Sequence, residues 1–196
     1  MEFLDRLLGT KNLTLAAVVE ETSLHIFGNS VAQIRALMRS KAIETLGDEP
    51  DQLNDHGWIL FQELIVFSLH LADRIAFGAV GPERRSRFVE ALEGAVVGHI
   101  AKGALADPSP EATRQFAVKF QSLMMRRTQT YAGFPLAAPG AQSLKGTLLW
   151  EAAKAIAGER FPQDVARATL ALPGSLSLCL QPLGDLSKTL KRVRDL

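Results

Sequence analysis

Four ionisable side chains interrupt the most apolar segment of the chain, which runs from Trp58 to Val80; they are Glu63, His70, Asp73 and Arg74. Glu63, His70 and Arg74 follow one another at intervals of seven and four residues. Because an α-helix turns by about 100° per residue, these intervals place the three side chains within roughly 40° of one another. A charged group on an apolar helix is costly to bury unless it is paired or used in chemistry. The sequence therefore predicts a role for this polar stripe.

One interpretation of the stripe is a buried polar network between neighbouring helices. Arg127, Tyr131 and Glu151 also lie on apolar helical faces, where they could meet the stripe. Such a network would fix how the helices pack against one another and would carry out no reaction.

A second interpretation is a metal site formed by Glu63, His70 and His99, the last from the adjacent helix. Carboxylate and imidazole ligands suit iron, manganese or zinc, and helical bundles hold such ions between facing helices. The spacing argues against a di-iron site, because those sites use a Glu and a His three residues apart and this chain has no Glu-x-x-His.

A third interpretation is a pocket for a small ligand, lined by Glu63, His70, Arg74, Arg127 and Tyr131. Either arginine could hold an anionic group through its planar fork of donors. No cofactor is required by the sequence, and no residue is predicted to be catalytic.

Several functional classes lack their sequence signals. The chain has no nucleotide-binding glycine motif, no Gly-x-Ser-x-Gly elbow and no His-Glu-x-x-His. Cys179 is the only cysteine, so no disulfide can form within the chain. The formal net charge of +1 makes nucleic-acid binding an unfavoured expectation, with the cluster Arg84–Arg87 as the one place to look.

Periodicity predicts an all-α protein, an irregular or orthogonal bundle of six to eight helices around a central apolar helix at about 56–79. Gly28 is expected to separate a helix that starts at Leu15 from one that continues to about Leu46. Gly81-Pro82 is expected to end the central helix. Further helices are predicted over 143–157 and 162–170, with a break at Pro173-Gly174, and from about Leu183 to the end.

The chain is expected to be a single helical domain over residues 1–196. Residues 1–28 form its least certain part, either loosely packed or dimer-forming, with a strand over 13–19 as an alternative. The N-terminus lacks a secretory signal pattern, and charges near the middle of the apolar segment argue against a membrane span. We therefore expect a soluble cytoplasmic protein without a membrane partner.

The favoured function is non-enzymatic. The sequence predicts a helical protein that acts by contact with a protein partner or by self-association, as a homodimer joined through apolar faces of its terminal helices. The alternative is a protein that binds a small ligand or a metal at the polar stripe of the central helix.

Overall fold

Helices make up almost all of the regular structure. A computed structural model of the chain describes residues 13–40, 43, 46, 53–103, 105, 109–136, 145–162, 165–193 and 196. Within these ranges the protein is all-α, as predicted, and contains no strand. Its helices are α1 (Leu15–Ser40), α2 (Asp55–Val80), α3 (Pro82–Gly103), α4 (Pro110–Tyr131), α5 (Leu148–Arg160), α6 (Val165–Leu178) and α7 (Leu186–Leu190), with a 3-10 turn at Gln181–Leu183 between the last two.

The apolar segment forms α2, one residue longer at each end than the prediction. All of its residues over 63–72 are buried, which is the burial expected of a helix that is apolar all round. The helix ends because Gly81 has a φ of +80°, in the left-handed region that favours glycine, and Pro82 then begins α3. Across the described ranges, no helix is apolar over enough of its length to traverse a lipid bilayer.

The predicted break at Gly28 is wrong, because α1 runs through this position to Ser40. The alternative of a strand over 13–19 is also wrong, since 15–19 belong to the same helix. Glycine inside a helix costs only about 1 kcal/mol relative to alanine, so burial on either side can outweigh it. Ile26 and Ile34 provide that burial. The spacing of Phe3, Leu4, Leu7 and Leu8 also predicts a short helix that ends at Gly9, and this prediction lies outside the described residues.

Two glycine substitutions should change stability in opposite directions. Gly28→Ala should raise the free energy of unfolding by about 0.5–1 kcal/mol, because alanine favours the helix and a Cβ there meets nothing within 4 Å. Gly81→Ala should lower it by about 1–2 kcal/mol, because its positive φ crowds a Cβ. Urea unfolding of both variants checks the pair, and a loss of stability in Gly28→Ala would contradict the expectation for the helix interior.

Two helix boundaries in the C-terminal half also differ from the prediction. The helix expected from Ser143 begins at Leu148 instead. Gly146 lies outside the helical region of backbone conformation, with a φ of +76°. Thr147 then caps the first turn, because its hydroxyl oxygen accepts from the Trp150 N–H at 3.3 Å. The break expected at Pro173-Gly174 does not occur, and Pro173 lies inside α6. A buried face runs across the proline and holds the helix together; it comprises Ala168, Leu172 and Leu176.

The chain divides into two compact units, each assembled from separate segments. The described residues of the first unit lie within Met1–Gly28, Ser68–Ala117 and Leu180–Leu196, and those of the second within Asn29–Phe67 and Val118–Cys179. Helices α1, α2 and α4 contribute residues to both units. A functional side chain on one of these helices therefore belongs to the unit that contains its position along the chain.

The first unit is built on an apolar face of α3, whose members Phe88, Leu92, Val96 and Ile100 are fully buried. An apolar face at the C-terminal end is buried too; it consists of Leu183, Leu186, Leu190 and Val193. Arg84 of α3 links this helix to the C-terminal segment, because its Nη2 donates to the carbonyl oxygen of Val193 at 2.8 Å. One arginine of the predicted basic cluster is thus engaged inside the unit.

In the second unit, α5 and α6 pack against each other along their length. Their buried faces are rich in small and aliphatic side chains; α5 contributes Leu149, Ala152, Ala153 and Ile156. Gln33 of α1 donates from Nε2 to Cys179 Sγ at 3.4 Å, and the thiol is fully buried.

Candidate functional site

Glu63 and Arg127 form a buried ion pair between α2 and α4. Arg127 donates from Nε to Oε2 of Glu63 at 2.8 Å and from Nη2 to Oε1 at 2.7 Å. The Glu63 side chain is fully buried, and that of Arg127 is only 4% exposed. A guanidinium matches a carboxylate in this two-bond geometry, which is the strongest arrangement available to such a pair. The contact required by the network interpretation is therefore present.

A second carboxylate completes the cluster from the C-terminal end of α5. Glu159 accepts from Nη1 of Arg127 at 3.2 Å and from Nη2 at 3.0 Å, with a side chain that is 57% exposed. Arg160 also approaches, with its Nε 3.5 Å from Oε1 of Glu63. The cluster thus connects three helices of the second unit. Its charge is balanced, since two carboxylates, one of them half exposed, face two guanidinium groups.

Tyr131, one helical turn beyond Arg127, is fully buried beside this cluster. Its ring meets that of Phe67 edge to face, with 5.8 Å between the ring centroids. Burial and the nearby negative charge of Glu63 raise the pKa of the Tyr131 hydroxyl, so the phenol stays neutral. Burial alone would lower the pKa of Arg127, but its hydrogen bonds to Glu63 and Glu159 and the negative charge of Glu63 raise it.

This arrangement is a buried ion pair that joins two helices. Both oxygen atoms of Glu63 accept from Arg127, so the carboxylate is held by the guanidinium. Glu151, the third partner considered for the network, instead contacts Lys154 on its own helix, with 2.5 Å between the charged atoms. Small-ligand binding at Arg127 and Tyr131 stays a prediction.

His70 and Arg74 belong to the first unit. The His70 side chain is almost fully buried, at 5% exposure. Burial, with the positive charges of Arg74 and Arg85, lowers the pKa of His70 to about 4, although Asp73 acts in the opposite direction. The imidazole is therefore neutral at physiological pH.

Asp73, one residue before Arg74, is held by Arg85 of α3. Arg85 donates from Nη2 to Oδ2 at 2.7 Å and from Nε to Oδ1, and its guanidinium carbon lies 5.8 Å from the ring centroid of Phe77. This fork raises the pKa of Arg85 further above its ordinary value. A second arginine of the predicted basic cluster is thus committed to a contact within the unit.

His99 lies against α1 in the first unit. Its Nε2 atom is 3.0 Å from the Ser23 hydroxyl and 3.7 Å from Oε1 of Glu20, and the Phe27 ring packs on the imidazole. Ser23 donates its single proton to the carbonyl oxygen of Glu20 at 2.7 Å. The contact between Ser23 and His99 therefore requires a proton on Nε2 of the histidine. This is the hydrogen-bonded core histidine that an apolar helical face favours.

The residues of the metal hypothesis have different surroundings. Glu63 is bound by Arg127 in the second unit, whereas His70 and His99 lie in the first. In the part of the chain that the structure describes, no group of three or more His, Cys, Asp or Glu side chains is arranged to hold a metal ion. A metal site at Glu63, His70 and His99 stays a prediction without a supporting observation.

An exposed apolar face on α6 was not anticipated from the sequence. Leu170 is 82% exposed, and Ala166, Gly174 and Leu178 are exposed at intervals of four residues along the same helix. Val165 is also exposed, and the one charged side chain on this side is Arg167. The sequence carries the exposed apolar positions of this face at helical spacing on both sides of Pro173. Because a helix break was expected at Pro173-Gly174, these positions were not recognised as one continuous face.

Comparison of the chain with protein-family models, with curated proteins and with solved structures finds no match.

Proposed function

We propose that the protein acts by self-association through the exposed face of α6, which we name the α6 stripe and define as Ala166, Leu170, Gly174 and Leu178. The observation that carries the proposal is the exposure of Leu170, at 82% the most exposed of the large apolar side chains in the described residues. A single exposed leucine is ordinary on a protein surface. Four uncharged positions in one continuous row make a contact surface that water solvates poorly.

The location differs from the one expected from the sequence, which placed a dimer surface on the terminal helices. The apolar side chains of the C-terminal segment are buried in the first unit, so they are engaged within the chain. The α6 stripe lies in the second unit and its opposite face is anchored by Leu172 and Leu176. A rigid helix with one buried and one exposed apolar side is suited to bind a partner helix.

Leu170→Glu should weaken self-association more than 100-fold. A two-fold dimer contains the substitution twice, and each copy loses about 2 kcal/mol of apolar burial and gains a desolvated charge. Light scattering and sedimentation equilibrium from about 1 µM to about 1 mM would measure the change. Met125→Glu on α4 is the matched control, because this side chain is 66% exposed and outside the stripe.

The control should retain the dissociation constant of the parent chain, since Met125 contributes nothing to the α6 stripe. A parent chain that stays monomeric across the whole concentration range would refute self-association. A dimer that Leu170→Glu leaves intact would refute the α6 stripe as its surface.

A further inference from the structure

The α6 stripe alternates small and large side chains in a pattern that complements itself. In chain order the four positions are alanine, leucine, glycine and leucine, each four residues after the last. If two copies of the helix run antiparallel about a two-fold axis at position 172, Leu170 of each copy faces Gly174 of the other. The same axis places Leu178 opposite Ala166. Every large side chain then meets a small one.

We propose that two copies of this chain pair through α6 in an antiparallel, two-fold arrangement with leucine packed over glycine and alanine. This inference rests on the self-association proposed above and adds its partner, direction and register. A two-fold contact uses the same patch on both copies, so a patch has to be complementary to itself. The α6 stripe meets that requirement in the antiparallel direction only.

The parallel direction is disfavoured by both shape and charge. Parallel pairing in register would set Leu170 against Leu170 and Gly174 against Gly174, which leaves a gap at the glycines. It would also place the two Arg167 side chains side by side, where like charges repel. In the antiparallel pair the two arginines are separated by ten residues along the axis, about 15 Å, and that repulsion largely disappears under physiological salt.

Gly174 provides the space that this packing needs. A Cβ built at this position meets nothing within 4 Å, so the surface above the glycine is open in the single chain. Small residues at a helix crossing allow two backbones to approach closely, and a leucine side chain from the second copy can then fill the space. The free chain gains nothing from a glycine here, since glycine weakens a helix interior.

The size of the surface sets the strength of the pair. Helix α6 has 14 residues. A helix of that length is about 21 Å long and about 10 Å wide, which gives a strip of roughly 200 Å² in projection. A standard interface buries about 800 Å² per partner, so this pair belongs with weak and transient complexes. We expect dissociation constants in the micromolar range or above, which allows exchange between monomer and dimer.

Gly174→Met tests the packing because it adds apolar surface while removing the space. If leucine packs over the glycine, the variant should associate at least 10-fold more weakly than the parent chain in sedimentation equilibrium. Gly158→Met is the matched control on α5, where a Cβ also meets nothing within 4 Å. Circular dichroism would verify that both variants retain their helix content. Equal or stronger association of Gly174→Met would overturn the leucine-over-glycine register, while leaving self-association itself supported.

Disulfide trapping tests the direction. Chains carrying Leu170→Cys and chains carrying Gly174→Cys, distinguishable by mass, are mixed in equal amounts and oxidised briefly. Antiparallel pairing should enrich the mixed 170–174 dimer above the one-half expected from random pairing. An excess of 170–170 and 174–174 dimers would establish the parallel direction and overturn the proposal. The parent chain, whose Cys179 is fully buried, should give no trapped dimer.

Discussion

Arg127→Met should lower the free energy of unfolding by about 3–5 kcal/mol, the largest effect expected of any single substitution in this chain. The variant leaves the Glu63 carboxylate fully buried and removes both of its hydrogen bonds from Arg127. An uncompensated buried charge loses its hydration without gaining a partner. Arg160 approaches the carboxylate only to 3.5 Å with its Nε, so it replaces little of the lost interaction. Urea unfolding monitored by far-UV circular dichroism would measure the loss.

Three companion variants separate the contributions within the cluster. Arg126→Met changes an exposed arginine on the same helix and should cost less than about 0.5 kcal/mol. Glu159→Gln removes the half-exposed carboxylate and should cost less than about 1 kcal/mol, because exposed ion pairs contribute little. The double variant Glu63→Leu/Arg127→Met removes both buried charges and should recover most of the stability lost in Arg127→Met.

The double variant is the decisive member of the series. If it is as unstable as Arg127→Met, the loss arises from the packing of the long Arg127 side chain and the charge argument is wrong. If Arg127→Met itself costs less than about 1 kcal/mol, the buried carboxylate is solvated or protonated more easily than the geometry implies.

The polar cluster could be predicted in part, because burial of a charge limits its possible partners. Glu63 lies within an apolar helix and Arg127 on the apolar face of another, so each needs a partner that is buried too. That reasoning placed both residues among the candidates for a buried network without pairing them, and the structure joins them directly. Glu159 escaped prediction because it is half exposed at a helix end, where a carboxylate needs no partner and periodicity provides no constraint.

The helix breaks were predicted least well, because glycine and proline act locally while helix ends depend on packing. Gly28 and Gly81-Pro82 were both expected to end a helix, yet of these two glycines only Gly81 adopts a positive φ and does so. Pro173 removes one backbone donor from α6, but the buried faces on both sides of it outweigh that loss. The predicted break at the proline is the reason why the α6 stripe was not predicted, because two of its four positions lie before Pro173 and two lie after it.

The stability of the protein should fall as the pH drops from about 6.5 to about 4, because His70 resists protonation in the folded chain. Burial and the charges of Arg74 and Arg85 lower the pKa of His70 to about 4, below the value of about 6.5 for a histidine in an unfolded chain. Between these values the unfolded chain binds a proton that the folded chain does not. The stabilisation is therefore complete above about pH 6.5 and is lost progressively toward about pH 4, by about 3 kcal/mol in total.

His70→Gln isolates this contribution, because glutamine is polar but does not titrate. The variant can be less stable than the parent at about pH 7.5, but the difference between the two should shrink by about 3 kcal/mol as the pH approaches about 4. Gln62→Ala, which changes a half-buried polar side chain of the same helix and removes no titrating group, is the control and should keep a constant difference from the parent across the range. Carboxylates also titrate near the lower end of this range, but they are common to all three chains and cancel in the comparison. A constant difference between parent and His70→Gln across the range would mean that His70 is protonated in the folded chain as easily as in the unfolded one, which burial beside two arginines argues against.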